Sequence, residues 1–282
     1  MPLVTTRELL DAAVADGSGL AALNVLHLET AEAIAAGAEA AGRGAVLQIS
    51  ENCVRYHGGL APIAAAAAAV AVASSAPLSL HLDHAEDADL VAEALRLGFS
   101  SVMVDGARLA WEDNVALTRR AAQDGRAAGA VVEAEIGEIG GKDGAHAPGV
   151  RTDPGEAARF AETTGVDLLA VAVGSSHAMT ERTAAVDLEL IERIAAAVPV
   201  PLVLHGSSGV PDSSLVAAIR AGMRKINVST QLNKVFSAAV RERLGGDPGL
   251  VDSRKYLGAG REQMAGEVER LIRLFASAGT PS

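Results

Sequence analysis

What most restricts the fold of this chain is an alternation in which a short apolar run, ending in polar or turn residues, is followed by a helical stretch. The pattern repeats eight times with no break in composition. The runs read as strands at Ala21–Val25, Ala45–Ile49, Pro77–Leu82, Ser101–Val104, Ala130–Glu135, Leu168–Val173, Pro201–Leu204 and Lys225–Val228. Most are apolar throughout, as expected of strands covered on both faces. Helical segments separate them at Glu29–Ala41, Ile63–Ala73, Ala88–Leu97, Trp111–Ala128, Glu156–Thr163, Leu188–Ala197 and Ser213–Ala221. A Thr-capped helix from Thr5 leads the chain, and helices at Leu232–Leu244 and Glu262–Ala276 close it. This pattern predicts an α/β fold in which residues 1–282 form a single (β/α)8 TIM barrel with a leading helix and extra C-terminal helices. The competing arrangement is a doubly wound open sheet, which usually carries a Gly-rich phosphate turn after strand one. Here Asn24-Val25-Leu26-His27 occupies that place, and the glycine-rich turns follow strands five and seven.

Apolar residues make up 49% of the chain and aromatic ones only 2%, so the core must be built from Ala, Val, Leu and Ile. The charge balance of 24 − 35 = −11 opposes binding of nucleic acid. A small phosphorylated compound is still compatible, because backbone amides can hold a phosphate inside an acidic protein. The lone cysteine, Cys53, leaves no internal disulfide and points to a reducing, cytoplasmic setting. Arg7 and Glu8 interrupt any leader-like apolar core, and the eleven Ala-rich residues Ile63–Ala73 are too short to span a bilayer. No membrane association is expected.

In a barrel the residues just after each strand face one mouth, so distant stretches converge there. The densest is His81-Leu82-Asp83-His84-Ala85-Glu86-Asp87, two imidazoles and three carboxylates in seven residues. Alone, it suits either a metal ligand beside a general acid/base or a helix start whose Asp83, Glu86 and Asp87 complement the dipole. Other strand ends add Asp105, Glu135, His177 and His205. Three histidines (His84, His177 and His205) on one rim match a catalytic Zn2+ site with an open fourth position, and the donors also admit Co2+ or Mn2+. His81, inside a strand, is expected to fill the barrel interior, while His27, His57 and His146 have no spacing argument. Gly206-Ser207-Ser208-Gly209-Val210-Pro211 and Asn227-Val228-Ser229-Thr230 follow strands seven and eight, where barrels commonly hold phosphate. The same residues are also ordinary turn and cap formers. The longest irregular stretch, Gly137–Gly149, has a length that is usually functional or disordered.

Taken together, HLDH at 81–84, VEAEIGEIGG at 132–141, AVAVGSSH at 170–177, LVLHGSSG at 202–209 and KINVST at 225–230 resemble the class II, zinc-dependent ketose-bisphosphate aldolases, which include fructose- and tagatose-bisphosphate aldolases. The resemblance covers nearly the whole chain. It implies a (β/α)8 barrel, zinc held by His84, His177 and His205, and reversible aldol cleavage of a phosphorylated ketose to dihydroxyacetone phosphate, a triose phosphate, and an aldehyde. With Lewis-acid catalysis no Schiff-base lysine is needed; Lys225 is the candidate if one were. Asp83 matches the family acid/base. Glu135 matches a carboxylate close to the metal, and Asp105 is an alternative or supporting ligand. The second proton, at C3 of dihydroxyacetone phosphate, falls by position to Asp143, where relatives usually have Glu. Gly206, Ser208, Asn227, Ser229 and Thr230 match the first phosphate site, and Asn24, Gln48 and Ser50 match positions near the substrate. Arg254 is a candidate for the distal phosphate, reached from a neighbouring subunit of a homodimer or homotetramer. Ala178 replaces the Gly that relatives commonly have after the second histidine, which bears on the phosphate grip and on a monovalent-cation contact. A metal-dependent sugar-phosphate epimerase or isomerase, and a non-catalytic sugar-phosphate-binding barrel, are the alternatives.

Overall fold

The computed structural model describes residues 3–136, 151–177 and 179–280. Eight parallel strands close into a barrel in sequence order: β1 (Leu20–Asn24), β2 (Ala45–Ser50), β3 (Leu78–Ala85), β4 (Ser101–Val104), β5 (Val131–Ile136), β6 (Leu168–Val171), β7 (Leu202–Leu204) and β8 (Met223–Val228). The helices are α1 (Thr6–Asp16), α2 (Leu28–Ala41), α3 (Glu51–His57), α4 (Leu60–Ala73), α5 (Ala88–Arg96), α6 (Trp111–Ala128), α7 (Pro154–Thr164), α8 (Leu188–Ala197), α9 (Asp212–Ala221), α10 (Thr230–Gly246) and α11 (Ser253–Ser277). Among the described residues no single helix is long and apolar enough to cross a membrane; α3 and α4 form one bent pair, turned by 109°.

Strand side chains alternate between two environments. Outward residues such as Leu78, Leu80, Leu82, Val132 and Ala134 join the large cluster between barrel and helices. Inward residues form a second, smaller cluster: Leu20, Ala22, Val46, Val131, Leu168, Ala170 and Val203, with Leu9, Leu10 and Ala13 of α1. α1 therefore stoppers the N-terminal end of the barrel. Its capping box at Thr5 and Glu8 fixes where it starts, and Thr6 Oγ1 donates to Ser79 Oγ at 2.9 Å. Further up, the inward positions turn polar, with His81, Ser101, Glu133 and Lys225 all buried.

Three elements differ from expectation. β3 runs to Ala85 rather than ending at Leu82, and its pairing with β4 shifts register between Leu82 and Ala85. Residues 81–85 of the cluster therefore lie within the strand, Glu86 and Asp87 follow it, and the next helix begins at Ala88 as expected, capped by Asp87. α3 was not anticipated; Ser50 caps it by accepting from Cys53 N at 3.2 Å. α11 starts at Ser253, nine residues before the expected Glu262. It packs antiparallel to α10 through Gln231–Glu267 and through Gly260 against the Phe236 ring, then runs along α2 through Arg261–Glu32 and Gly37–Val268. The N-terminal part of α11 consequently extends about 20 Å beyond Glu267 at 1.5 Å per residue.

Candidate active site at the barrel mouth

The inward parity of each strand builds the site. His81 and Asp83 on β3, Glu133 and Glu135 on β5, and Lys225 and Asn227 on β8 are i, i+2 pairs facing the axis, the first lower and the second nearer the mouth. His205 follows β7 with the same parity as inward Val203. His84 breaks the rule. Alternation would send it outward, but it sits at the β3 irregularity with φ +50°, in left-handed space that a non-glycine residue rarely adopts. The strain returns its imidazole to the mouth, where its ring centroid is 4.7 Å from that of His205 and 5.1 Å from that of His177.

One donor atom from each of His84, Glu135, His177 and His205 lies within 4.8 Å of the others. Asp105 stands behind this group: its Oδ2 is 2.7 Å from His84 Nδ1. A carboxylate accepts there, so Nδ1 is the donor and Nε2 is the nitrogen turned away from Asp105. His205 is braced likewise, with Nε2 2.9 Å from Glu133 Oε1 and Nδ1 3.2 Å from Glu135 Oε2. Burial alone would drive the proton off His205, yet Glu133 and Glu135 hold its pKa up to about 9. The cluster needs positive charge: Asp83, Asp105, Glu133 and Glu135 are buried carboxylates, and Lys225 is the buried ammonium among them. A nitrogen- and oxygen-donor set in a negative well fits a divalent cation.

Beside it, Asp83 is 3% exposed and accepts from Gln48 Nε2 at 3.2 Å, Asn227 Nδ2 at 3.4 Å and Asn24 Nδ2 at 3.5 Å. Burial opposes its ionisation, but the charges of His84, His205, His81 and Lys225 outweigh this and hold its pKa below the usual range. Lys225 Nζ lies 2.8 Å from Glu133 Oε2 and 2.8 Å from Asn227 Oδ1, beneath the mouth. A lysine bound in a buried ion pair is not placed as a Schiff-base nucleophile.

A cavity of about 190 Å3 opens over these groups, with Asn24, Gln48, Ser50, Asp83, His84 and His177 on its walls. Gly206, Ser208, Asn227, Ser229 and Thr230 also line it, with Ser207 of the same turn and with Ser176, which the sequence did not single out. Gly206 has φ +64°, and a Cβ there would come within 2.5 Å of the Ser176 carbonyl carbon, so only glycine lets the β7 loop lie on the His177 loop. Ser207 Oγ donates to Asn227 O, and Ser208 Oγ accepts from Gln231 N at 3.1 Å. Ser229 makes no side-chain cap bond to α10, and the Gln231 amide in its first turn is taken by Ser208 instead.

Arg254 is not brought to this cavity within the chain. Its side chain is 89% exposed at the start of α11 and bonds Asp252 at 2.9 Å. Asp143, with the Gly140-Gly141 pair, Lys142 and His146, and also Ala178, lie outside the described residues. Glu133 was missed at the sequence level, although its parity with Glu135 in an apolar run was a readable signal.

Comparison with known proteins places this geometry. The family model described as fructose-bisphosphate aldolase class-II matches residues 4–280. A fructose-bisphosphate aldolase of Thermus caldophilus is 38% identical over 304 residues, spanning 98% of this chain and 99% of the relative. That of Geobacillus stearothermophilus is 35% identical over 283 residues, 99% of each. Among solved structures, the YdjI aldolase from Escherichia coli K12 superposes with a TM-score of 0.83 at 28% identity, covering 97% of both chains.

Proposed function

Since the chain belongs to the class II fructose-bisphosphate aldolases, we propose that it cleaves a phosphorylated ketose of the fructose 1,6-bisphosphate or tagatose 1,6-bisphosphate type into dihydroxyacetone phosphate and an aldehyde. The observation that carries the reading is the convergence of four donor atoms within 4.8 Å beside a buried, ionised Asp83. His84, His177, His205 and Glu135 would hold a divalent cation, with Zn2+ the first choice and Co2+ or Mn2+ compatible, and Asp105 backing His84. Such an ion supplies Lewis-acid polarisation of the ketose carbonyl.

The chain's own residues do the rest. Asp83 takes the C4 hydroxyl proton as the C3–C4 bond breaks, and returns it to the aldehyde oxygen during condensation. Its three amide donors keep the carboxylate aimed. The turn at Gly206–Ser208 and the helix start at Ser229–Thr230 bind the first phosphate, while Asn24, Gln48 and Ser50 line the opposite wall. Asp143 is our candidate for the C3 proton. We read residues 1–282 as one barrel domain acting in the cytoplasm as a homodimer or homotetramer, with Arg254 offered to a neighbour's distal phosphate.

The test is cleavage of a panel of phosphorylated ketoses by metal-analysed protein, before and after chelation and re-addition of zinc. Cleavage lost to chelator and restored by the ion supports the reading. Interconversion of ketoses without smaller products would replace it with an epimerase or isomerase, and tight phosphate binding without turnover would replace it with a binding protein.

A further inference from the structure

Lys225 is fully buried on the barrel axis and makes three contacts of one kind. Its Nζ faces Glu133 Oε2 at 2.8 Å, Asn227 Oδ1 at 2.8 Å and, at the long end of hydrogen bonding, Gln48 Oε1 at 3.5 Å. Both amides then address Asp83 with their NH2 groups, Asn227 at 3.4 Å and Gln48 at 3.2 Å. Gln48 Nε2 also donates to Asn24 Oδ1 at 2.8 Å, which draws in the third amide. An ammonium has only donors and a carboxylate only acceptors. An amide caught between them has one acceptable orientation, oxygen toward Lys225 and nitrogen toward Asp83. Without the ammonium the oxygens of Asn227 and Gln48 lose the donor that anchors them, and the orientation of both amides is set from the Asp83 side alone.

We propose that Lys225 is a positioning residue: through Asn227 and Gln48 it fixes the hydrogen-bond polarity around Asp83, and so holds that carboxylate in the orientation the carbon–carbon bond step requires. The proposal rests on the aldolase reading given above. Glu133 balances the charge of Lys225 in the interior and also braces His205, so a second route, through the metal-binding imidazole, must be separated from the first.

The two routes differ in the partial reactions they affect. Asp83 serves bond breaking and making, whereas the exchange of a C3 hydrogen of dihydroxyacetone phosphate with solvent needs the metal site and a different base. The experiment uses the full chain with Glu133→Gln and Lys225→Met together, which removes both buried charges and keeps an oxygen to accept from His205. Zinc per chain after dialysis, thermal midpoint, steady-state cleavage and deuterium exchange at C3 are compared with the wild type. We expect zinc retention unchanged, C3 exchange and KM within about threefold of wild type, and kcat for cleavage down ~100-fold. Cleavage at the wild-type rate overturns the proposal, and so does a parallel loss of exchange, cleavage and zinc, which would route the effect through His205.

Gln48→Met gives an independent reading should the double variant fail to fold, because it spares the ion pair and removes one relay. Cleavage down about tenfold with exchange retained is the result expected there, and no change overturns the proposal. A wild type that neither cleaves a ketose bisphosphate nor exchanges C3 hydrogen overturns the aldolase reading itself, and this inference with it.

Discussion

Asp83 is ionised in a place where burial disfavours charge, and this is affordable only because cationic neighbours and three amides surround it. Asp83→Asn keeps the shape and removes the base, so kcat for cleavage should fall ~100- to 10,000-fold with KM little changed. Steady-state kinetics on metal-replete protein checks this, and a variant retaining a tenth of the activity would remove Asp83 from the role. Much at this scale was readable from sequence: the three histidines, Asp83 and Glu135 all converge. Polar residues at strand ends advertise themselves, because little else explains them there. Glu133 was legible only through its parity with Glu135, and Lys225 only as a possible Schiff-base lysine, because the reason for each is a partner on another strand. Asp105 could be placed near the metal but not behind His84, because one hydrogen bond of 2.7 Å decides between the two.

Among the elements, β3 and the turn after β7 carry local geometry that composition does not encode. The sequence shows where polar residues begin and so suggests a strand ending at Leu82, but the backbone continues to Ala85 by way of the φ +50° at His84. α11 begins at Ser253 rather than at Glu262 and so takes in Gly258 and Gly260. In the fold, Gly260 is where the Phe236 ring packs, leaving no room for a Cβ. Gly206→Ala sets a methyl group against the Ser176 backbone at a left-handed φ, so the His177 and phosphate loops must part. We expect a loss of stability of about 1–3 kcal/mol and a KM increase larger than the fall in kcat. Denaturant titration and kinetics on the variant check both, and an unchanged KM would show that the loops need not touch.

At the scale of the whole molecule, the polar axis of the barrel makes stability depend on pH and on metal. Burial, and then the ammonium of Lys225, push the pKa of His81 down from 6.5 to about 3. Between those values the unfolded chain binds a proton that the folded chain does not, so this contribution to stability grows as pH rises through the window and is lost as pH falls. The thermal midpoint of metal-loaded wild type should therefore climb more steeply from pH 4.5 to 6.5 than that of His81→Gln; equal slopes would mean that His81 is protonated in the fold. Metal acts in the same direction by mass action. Zinc at about 100 times its dissociation constant adds ~2.7 kcal/mol, a rise of several degrees in midpoint that chelator should reverse and His205→Ala should abolish. The alternation of strands and helices made the closed barrel legible, whereas the polarity of its interior required knowing which residue of each strand turns inward.

α1 covers the floor of the barrel with Leu9, Leu10 and Ala13, so among the described residues the polar interior lies between an apolar plug and the mouth. Whatever lodges in the mouth is then also a stopper. Lys225 and His81 are fully buried beneath it, so the exchange of their hydrogens with water is expected to slow for as long as a guest stays.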